Sequence, residues 1–317
     1  MDGILIIDKP AGMTSHDVVA RVRRIIGERR VGHTGTLDPF ATGVLVILVG
    51  RATRLAQFLS GAEKEYDALV RLGFATDTGD ITGTRIQSTS ENVTNQPRTW
   101  PDEDVESALQ SLRGEIEQVP PMYSAKKQGG KKLYELARRG HEVERKAVRV
   151  TIHSLEVDGG TPKWKENDDG TTDIRLSVTC SAGTYVRTLA EDFGRQLGVG
   201  AHLAELRRTK AGDFSIEKAL SLEQLEQSVI QKALTNVLLT PDSALQQLPF
   251  VSLSEDDVRR TQQGMALKLP SGLNGVTATA DNIRMRDEAG KLIAVGSYDP
   301  ENLLIHPRVV LSVEQRR

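Results

Sequence analysis

Six consecutive apolar residues, Val44-Leu45-Val46-Ile47-Leu48-Val49, follow a loop in which glycine and proline recur, running from Gly32 through Asp38-Pro39 to Gly43. An apolar run without alternation cannot leave one face in water, so it predicts a strand covered on both sides. The loop is constrained differently. Pro39 disfavours the helical region for Asp38, while Gly32, Gly35 and Gly43 admit turns and close approach by another segment or molecule. One carboxylate is thereby presented at the rim of a rigid sheet. An aspartate in such a turn also serves as a plain hydrogen-bonding turn residue, so the loop alone leaves two readings open.

At 317 residues the chain exceeds what a single hydrophobic core usually covers, which predicts two domains. The hydrophobic fraction of 38% with 26% charged residues is that of a soluble globular protein. No apolar run approaches the roughly 18 residues a membrane span requires, and the first residues lack the layout of a secretory signal, so a cytoplasmic protein is expected. Cys180, the only cysteine, excludes an intramolecular disulfide and reads as a small apolar strand residue.

Overall charge is nearly balanced, with 41 Lys and Arg against 43 Asp and Glu, and only its distribution points to a partner. Between positions 124 and 150 nine Lys and Arg, among them Lys127, Lys131 and Lys132, stand against three Glu. A second cluster, Arg21, Arg23, Arg24, Arg29 and Arg30, leads into the Asp38 loop, and a third comprises Arg207, Arg208 and Lys210. Segregated basic patches are the footprint of a phosphate-backbone binder, although any one of them also reads as a solvated face.

The remaining pattern predicts a strand over 3–7, then a helix capped by Ser15, with the stripe Val18, Val22, Ile25, Ile26 and a stop at Gly27. A short helix is expected over 52–59 and a strand over 65–72, with Tyr66 near its start. Residues 77–83 superficially suggest a cation loop, but no glutamate follows at the required spacing, and they read as a turn. A helix opens at Asp102 and stops at Gly114. The basic segment 123–149, with its Gly129-Gly130 pair and an expected helix over 131–139, has the composition of a mobile arm. Ile174, Leu176, Val178 and Cys180 alternate as a half-buried strand, and residues 158–172 before it read as an exposed hairpin tip. The helix that follows turns Val186, Leu189, Ala190, Phe193 and Leu197 to the core, with Arg187 off that stripe. From 249 onward a polar helix over 254–263 and short strands over 292–295 and 308–313 predict a small β-rich domain, giving boundaries 1–248 and 249–317.

Five blocks, in one order over roughly residues 1 to 215, resemble the bacterial tRNA pseudouridine synthase B family. They are Gly3 to Pro10, Gly32 to Pro39, Lys64-Glu65-Tyr66, Pro121 to Ala125 with Lys127, Gly130, Leu133 and Tyr134, and Cys180 to Arg187. The resemblance implies an α+β fold with a mixed, largely antiparallel sheet, flanking helices and a PUA-like C-terminal domain. It also implies isomerisation of the T-loop uridine of tRNA, conventionally position 55, by base flipping and without a cofactor or metal. Asp38 would be the catalytic carboxylate, Arg187 its ionic partner, favouring the ionised form, and Tyr66 the residue against the base. His33 would contact extruded nucleotides, while Lys64, Tyr185 and Leu206 would shape the uracil and ribose pocket. Lys127, Lys131 and Lys132 would belong to a thumb-like arm clamping the T arm, and a monomer is expected.

The chemistry agrees with that assignment. An ionised carboxylate can act as nucleophile or base, and an isomerisation consumes nothing. Two rivals stand beside it: a non-catalytic tRNA-binding or folding protein on the same scaffold, and a synthase that depends on a guide RNA.

Overall fold

The computed structural model of the chain describes residues 1–86, 99–124, 127–128, 131–132, 143–159, 163–268 and 281–311. Its main sheet draws on β1 (Gly3–Lys9), β2 (Val31–Thr34), β3 (Thr42–Val49), β4 (Lys64–Leu72) and β5 (Gly114–Gln118). A small separate ladder, β6 (Lys127–Gln128) with β7 (Lys131–Lys132), intervenes. The sheet continues with β8 (Val148–Val157), β9 (Trp164–Glu166), β10 (Thr172–Cys180), β11 (Ala201–Ala211) and β12 (Phe214–Ser215). The strand order is β1-β3-β11-β4-β10-β8-β5, with β2, β9 and β12 paired to β3, β10 and β11. Every pairing is antiparallel except β3 with β11, which is parallel and confined to Thr42 and Gly43 against Arg207 and Arg208.

The apolar run is covered on both faces, as its composition requires. Val44, Val46 and Leu48 pack with Ile4, Leu55 and Phe214, while Leu45, Ile47 and Val49 pack on the opposite face with Val18, Val22 and Leu225. Each such side chain removed from water contributes about 1.5–3 kcal/mol, so β3 anchors the loop that precedes it. Helix α1 (Ser15–Ile26) supplies the second face and ends at Gly27 in the left-handed conformation, φ +66°. Its N-cap is Thr14 rather than Ser15: the Thr14 hydroxyl accepts from Asp17 N at 3.1 Å, and Thr14 N donates to the Asp17 carboxylate at 2.9 Å. The capping box frees the Ser15 hydroxyl for another task.

The segment expected as one helix over 52–59 is a 3-10 turn, Gly50–Leu55, followed by α2 (Ala56–Leu59). Helices α3 (Asp102–Gln110) and α4 (Val186–Gln196) join a second core, where Val105, Leu109, Leu189 and Phe193 meet Val70, Ile174 and Leu203. The helix expected over 131–139 begins differently, because Lys131 and Lys132 pair as a strand with Lys127 and Gln128. Residues 133–142 lie outside the described residues.

A separate five-stranded sheet follows, built from β13 (Phe250–Leu253), β14 (Leu267–Lys268), β15 (Ile283–Asp287), β16 (Leu292–Asp299) and β17 (Leu304–Val310), in the order β13-β15-β16-β17-β14. The polar helix Glu255–Gln262, capped by Ser254, lies between its first two strands in sequence. This β-rich unit shares a core with the main sheet: Leu292, Val295, Val309 and Leu311 join the cluster around Ile4, Val46 and Leu55. Arg51 and Arg54 donate to the carbonyls of Leu311 and Val310 at 2.9 and 2.6 Å. Among the described residues no helix is long and apolar enough to cross a membrane.

Candidate active site

The loop between β2 and β3 is held by its backbone, which leaves the Asp38 side chain to face a cleft. The Ser15 hydroxyl accepts from Leu37 N at 2.9 Å and donates to Leu37 O at 3.1 Å. Pro39 O receives Gly12 N at 2.8 Å and the Lys9 ammonium at 3.2 Å, and Asp38 O receives Ala41 N at 3.2 Å. Lys9, fully buried, also donates to the carbonyls of Pro10 and Met13, and burial pulls its pKa down to about 8. Buried backbone polar groups require partners, and here the partners fix where the carboxylate points.

Arg187 enters from the first turn of α4, and its guanidinium grips both Asp38 oxygens, Nε to Oδ2 at 2.9 Å and Nη2 to Oδ1 at 3.2 Å. It also donates to the carbonyls of Thr78 at 2.8 Å and Tyr123 at 2.6 Å. A second carboxylate, Asp80, stands 3.6 Å from Nη1, so one cation lies between two anions. Asp80 accepts in turn from Thr82 N at 2.9 Å and from the Thr78 hydroxyl at 3.0 Å. The Arg187 and Asp80 side chains are each 5% exposed, whereas Asp38 keeps a third of its side chain open to the cleft. A buried guanidinium needs this number of acceptors to offset its lost hydration.

The net electrostatics at Asp38 run against the simple expectation. Burial raises its carboxyl above the ordinary range, Arg187 lowers it, Asp80 raises it and Lys9 lowers it, with the balance upward. Arg187 does favour the ionised form, as expected, but desolvation outweighs it.

Six of the expected residues, Asp38, Lys64, Tyr66, Tyr185, Arg187 and Leu206, line one cavity of about 270 Å³. A duplex cannot enter such a space, so a base inside it must have left its stack. Tyr66 is nearly buried, and desolvation pushes its hydroxyl above the usual phenol value, with Arg208 opposing. Tyr66 is thus a neutral phenol beside the carboxylate. Burial likewise raises Tyr185, with a Ser124 hydrogen bond opposing. The Lys64 ammonium turns to the carbonyls of Ser60, at 2.8 Å, and Ala62, and burial together with nearby Arg208 lowers its pKa to about 8.

A second chamber, about 580 Å³, opens on the other side of Asp38 between His16, Phe40, Thr82 and Tyr123. His33 lines neither space; its ring meets His16 edge-on at 5.5 Å between centroids, and His16 lines the second chamber. Lys127, Lys131 and Lys132 lie in the β6–β7 ladder, and residues 125–126, 129–130 and 133–142 of the basic arm fall outside the described residues.

Three participants escaped the sequence reading. Residues 77–83 do turn, but the turn aims Asp80 at Arg187. Lys9 stood only within the Gly3 to Pro10 block, and Arg208 only within a basic patch. That third patch is spent internally: Arg207 pairs with Asp8 at 2.7 Å, Lys210 with Glu65 at 3.0 Å, and Arg208 is buried. Strand alternation between Arg207 and Arg208 was the available signal. Among the described residues no three His, Cys, Asp or Glu side chains converge as metal ligands.

Two family models divide most of the chain. One, described as the TruB family pseudouridylate synthase N-terminal domain, matches residues 23–186; the other, the tRNA pseudouridylate synthase B C-terminal domain, matches 187–246. The carboxylate at the sheet's rim therefore belongs to a pseudouridylate synthase, an enzyme that isomerises uridine to pseudouridine. The chain is a member of the TruB family. A protein named tRNA pseudouridine synthase B from Aromatoleum aromaticum is 44% identical, covering 99% of this chain and 94% of that one. One of the same name from Geobacillus thermodenitrificans is 45% identical over 86% of this chain and 88% of that one. Among solved structures, a Cbf5-Nop10-Gar1 complex superposes with a TM-score of 0.73 at 26% identity, covering 98% of this chain and 85% of that one. An H/ACA RNP bound to a substrate RNA containing 2′-deoxyuridine gives 0.71 at 25% identity, with the same coverage.

Proposed function

We propose that this chain converts the T-loop uridine of tRNA, conventionally position 55, to pseudouridine, acting as a cytoplasmic monomer on free tRNA. The bond from N1 to C1′ breaks, the uracil rotates, a bond from C5 to C1′ forms, C5 loses its proton and N1 gains one. Asp38 acts as nucleophile or base on the flipped nucleotide. Arg187 orients it, and Tyr66 packs against the base and relays the C5 proton as a neutral phenol. Lys64, Tyr185 and Leu206 shape the pocket, and His33 meets the neighbouring unstacked nucleotides. Lys127, Lys131 and Lys132 contact phosphates from a thumb-like arm over 123–149, which offsets the cost of unstacking. Residues 1–248 form the catalytic domain and 249–317 a PUA-like RNA-binding domain.

The observation that carries this reading is the two-point grip of Arg187 on a cleft-facing Asp38, beside Tyr66 in a nucleotide-sized cavity. A protein that only bound tRNA would gain nothing from an anion facing an anionic ligand. The guide-dependent reading has the likeness to the H/ACA RNP in its favour, whereas the identity of 44–45% to proteins named for tRNA favours a stand-alone enzyme. The test is tritium release from tRNA transcripts labelled at uridine C5. The protein alone should release tritium and Asp38→Asn should not; release only with a guide RNA, or undiminished release from Asp38→Asn, would overturn the proposal.

A further inference from the structure

The third basic cluster contains a cation that the reaction scheme leaves unused. Arg208 is 1% exposed, and among the described residues no carboxylate lies within 4.0 Å of it. Its guanidinium reaches two carbonyls instead: Nε donates to Val44 O at 2.7 Å and Nη2 to Gly35 O at 3.1 Å. Those carbonyls stand at opposite ends of the loop that carries Asp38.

The strand register makes this reach possible. Arg208 sits opposite Gly43 in the parallel seam with β3 and opposite Tyr66 in the antiparallel pairing with β4. Gly43 has φ +100°, and a Cβ there would fall 2.2 Å from the Arg208 carbonyl oxygen, so only glycine lets β3 approach this closely. Arg208 lines the same 270 Å³ cavity as Asp38 and Tyr66.

We propose that Arg208 is a positioning residue that brackets the Asp38 loop at both ends and ties it to the strand bearing Tyr66. It thereby sets the separation of carboxylate and phenol across the bound nucleotide. This rests on Asp38 being the catalytic carboxylate. The role needs a fork: a planar guanidinium donates in two fixed directions, whereas a lysine ammonium on a flexible stem cannot span both carbonyls from one position. Misplacement of a reacting group by about 1 Å lowers a rate roughly a hundredfold.

The experiment compares wild type, Arg208→Lys, Arg208→Gln and Asp38→Asn for folding by circular dichroism and for kcat and KM in tritium release from tRNA. Arg208→Lys should fold, keep KM within about threefold of wild type and lose roughly a hundredfold in kcat, the split expected when orientation rather than binding is lost. A wild-type kcat in Arg208→Lys, or a loss carried wholly by KM, would overturn the proposal while an inactive Asp38→Asn left the catalytic assignment standing. Failure of both Arg208 variants to fold would assign the residue to the core and overturn it too. Activity in Asp38→Asn would remove the reading beneath it.

Discussion

The Ser15 hydroxyl meets Leu37 twice, accepting its N–H at 2.9 Å and donating to its carbonyl at 3.1 Å, so one side chain at the start of α1 closes both backbone groups beside Asp38. Ser15→Ala leaves that pair buried without partners. The expected loss of stability is about 1–3 kcal/mol, read from denaturant unfolding, together with a fall in kcat larger than any rise in KM. An unchanged midpoint would show that the loop holds without Ser15.

Arg187→Met strips both carboxylates of their shared cation and leaves Asp80 buried and unpaired. Breaking a buried pair in this way costs roughly 3–5 kcal/mol. The variant should lose at least about a hundredfold in kcat and unfold at lower denaturant. Arg187→Lys should recover part of the stability but little of the rate, because a point charge cannot engage both Asp38 oxygens.

The pH dependence has a definite sign. Burial, reinforced by Asp80, raises the Asp38 carboxyl, so the ionised form that the proposed mechanism needs is lost as pH falls through a value above the ordinary 3.8. On this group's account, native stability is fullest below the unfolded carboxyl's pKa and diminishes as pH rises through the raised native value. Asp80→Asn removes an upward push and should move the acid limb of kcat to lower pH, whatever it does to the amplitude. A limb that stays in place would exclude Asp80 as a cause.

Truncation after residue 248 removes Leu292, Val295, Val309 and Leu311 from a core they share with Ile4, Val46 and Leu55. With about 1.5–3 kcal/mol at stake for each buried side chain, the shortened protein should melt well below the intact chain and expose an apolar patch that binds hydrophobic dye. Equal melting temperatures would make the β-rich unit an independent appendage.

Periodicity and block order made much of this legible. The unbroken run of β3, the stripe of α1 and the alternation from Ile174 to Cys180 each named their element, because a buried face leaves a mark at every second or every third and fourth residue. The resemblance brought Asp38, Tyr66, Arg187 and three pocket residues to one cavity. Asp80 and Arg208 stayed hidden, since their roles arise from contacts between distant segments. A turn aspartate and a strand arginine look the same whether they face solvent or a buried partner. The direction of the Asp38 shift was hidden for a related reason: charge partners can be guessed from a chain, but the depth of burial that outweighs them cannot.

The parallel seam between β3 and β11 spans only Thr42–Gly43 and Arg207–Arg208. On one side of it stand β1, β2 and β3 with Asp38; on the other stand β4 and β10 with Tyr66, and α4 with Arg187. Neither part of the molecule holds a complete reaction centre. A fragment ending before β4 would therefore carry the aspartate and Lys9 but neither Arg187 nor Tyr66, the two groups from across the seam that complete the pocket around it.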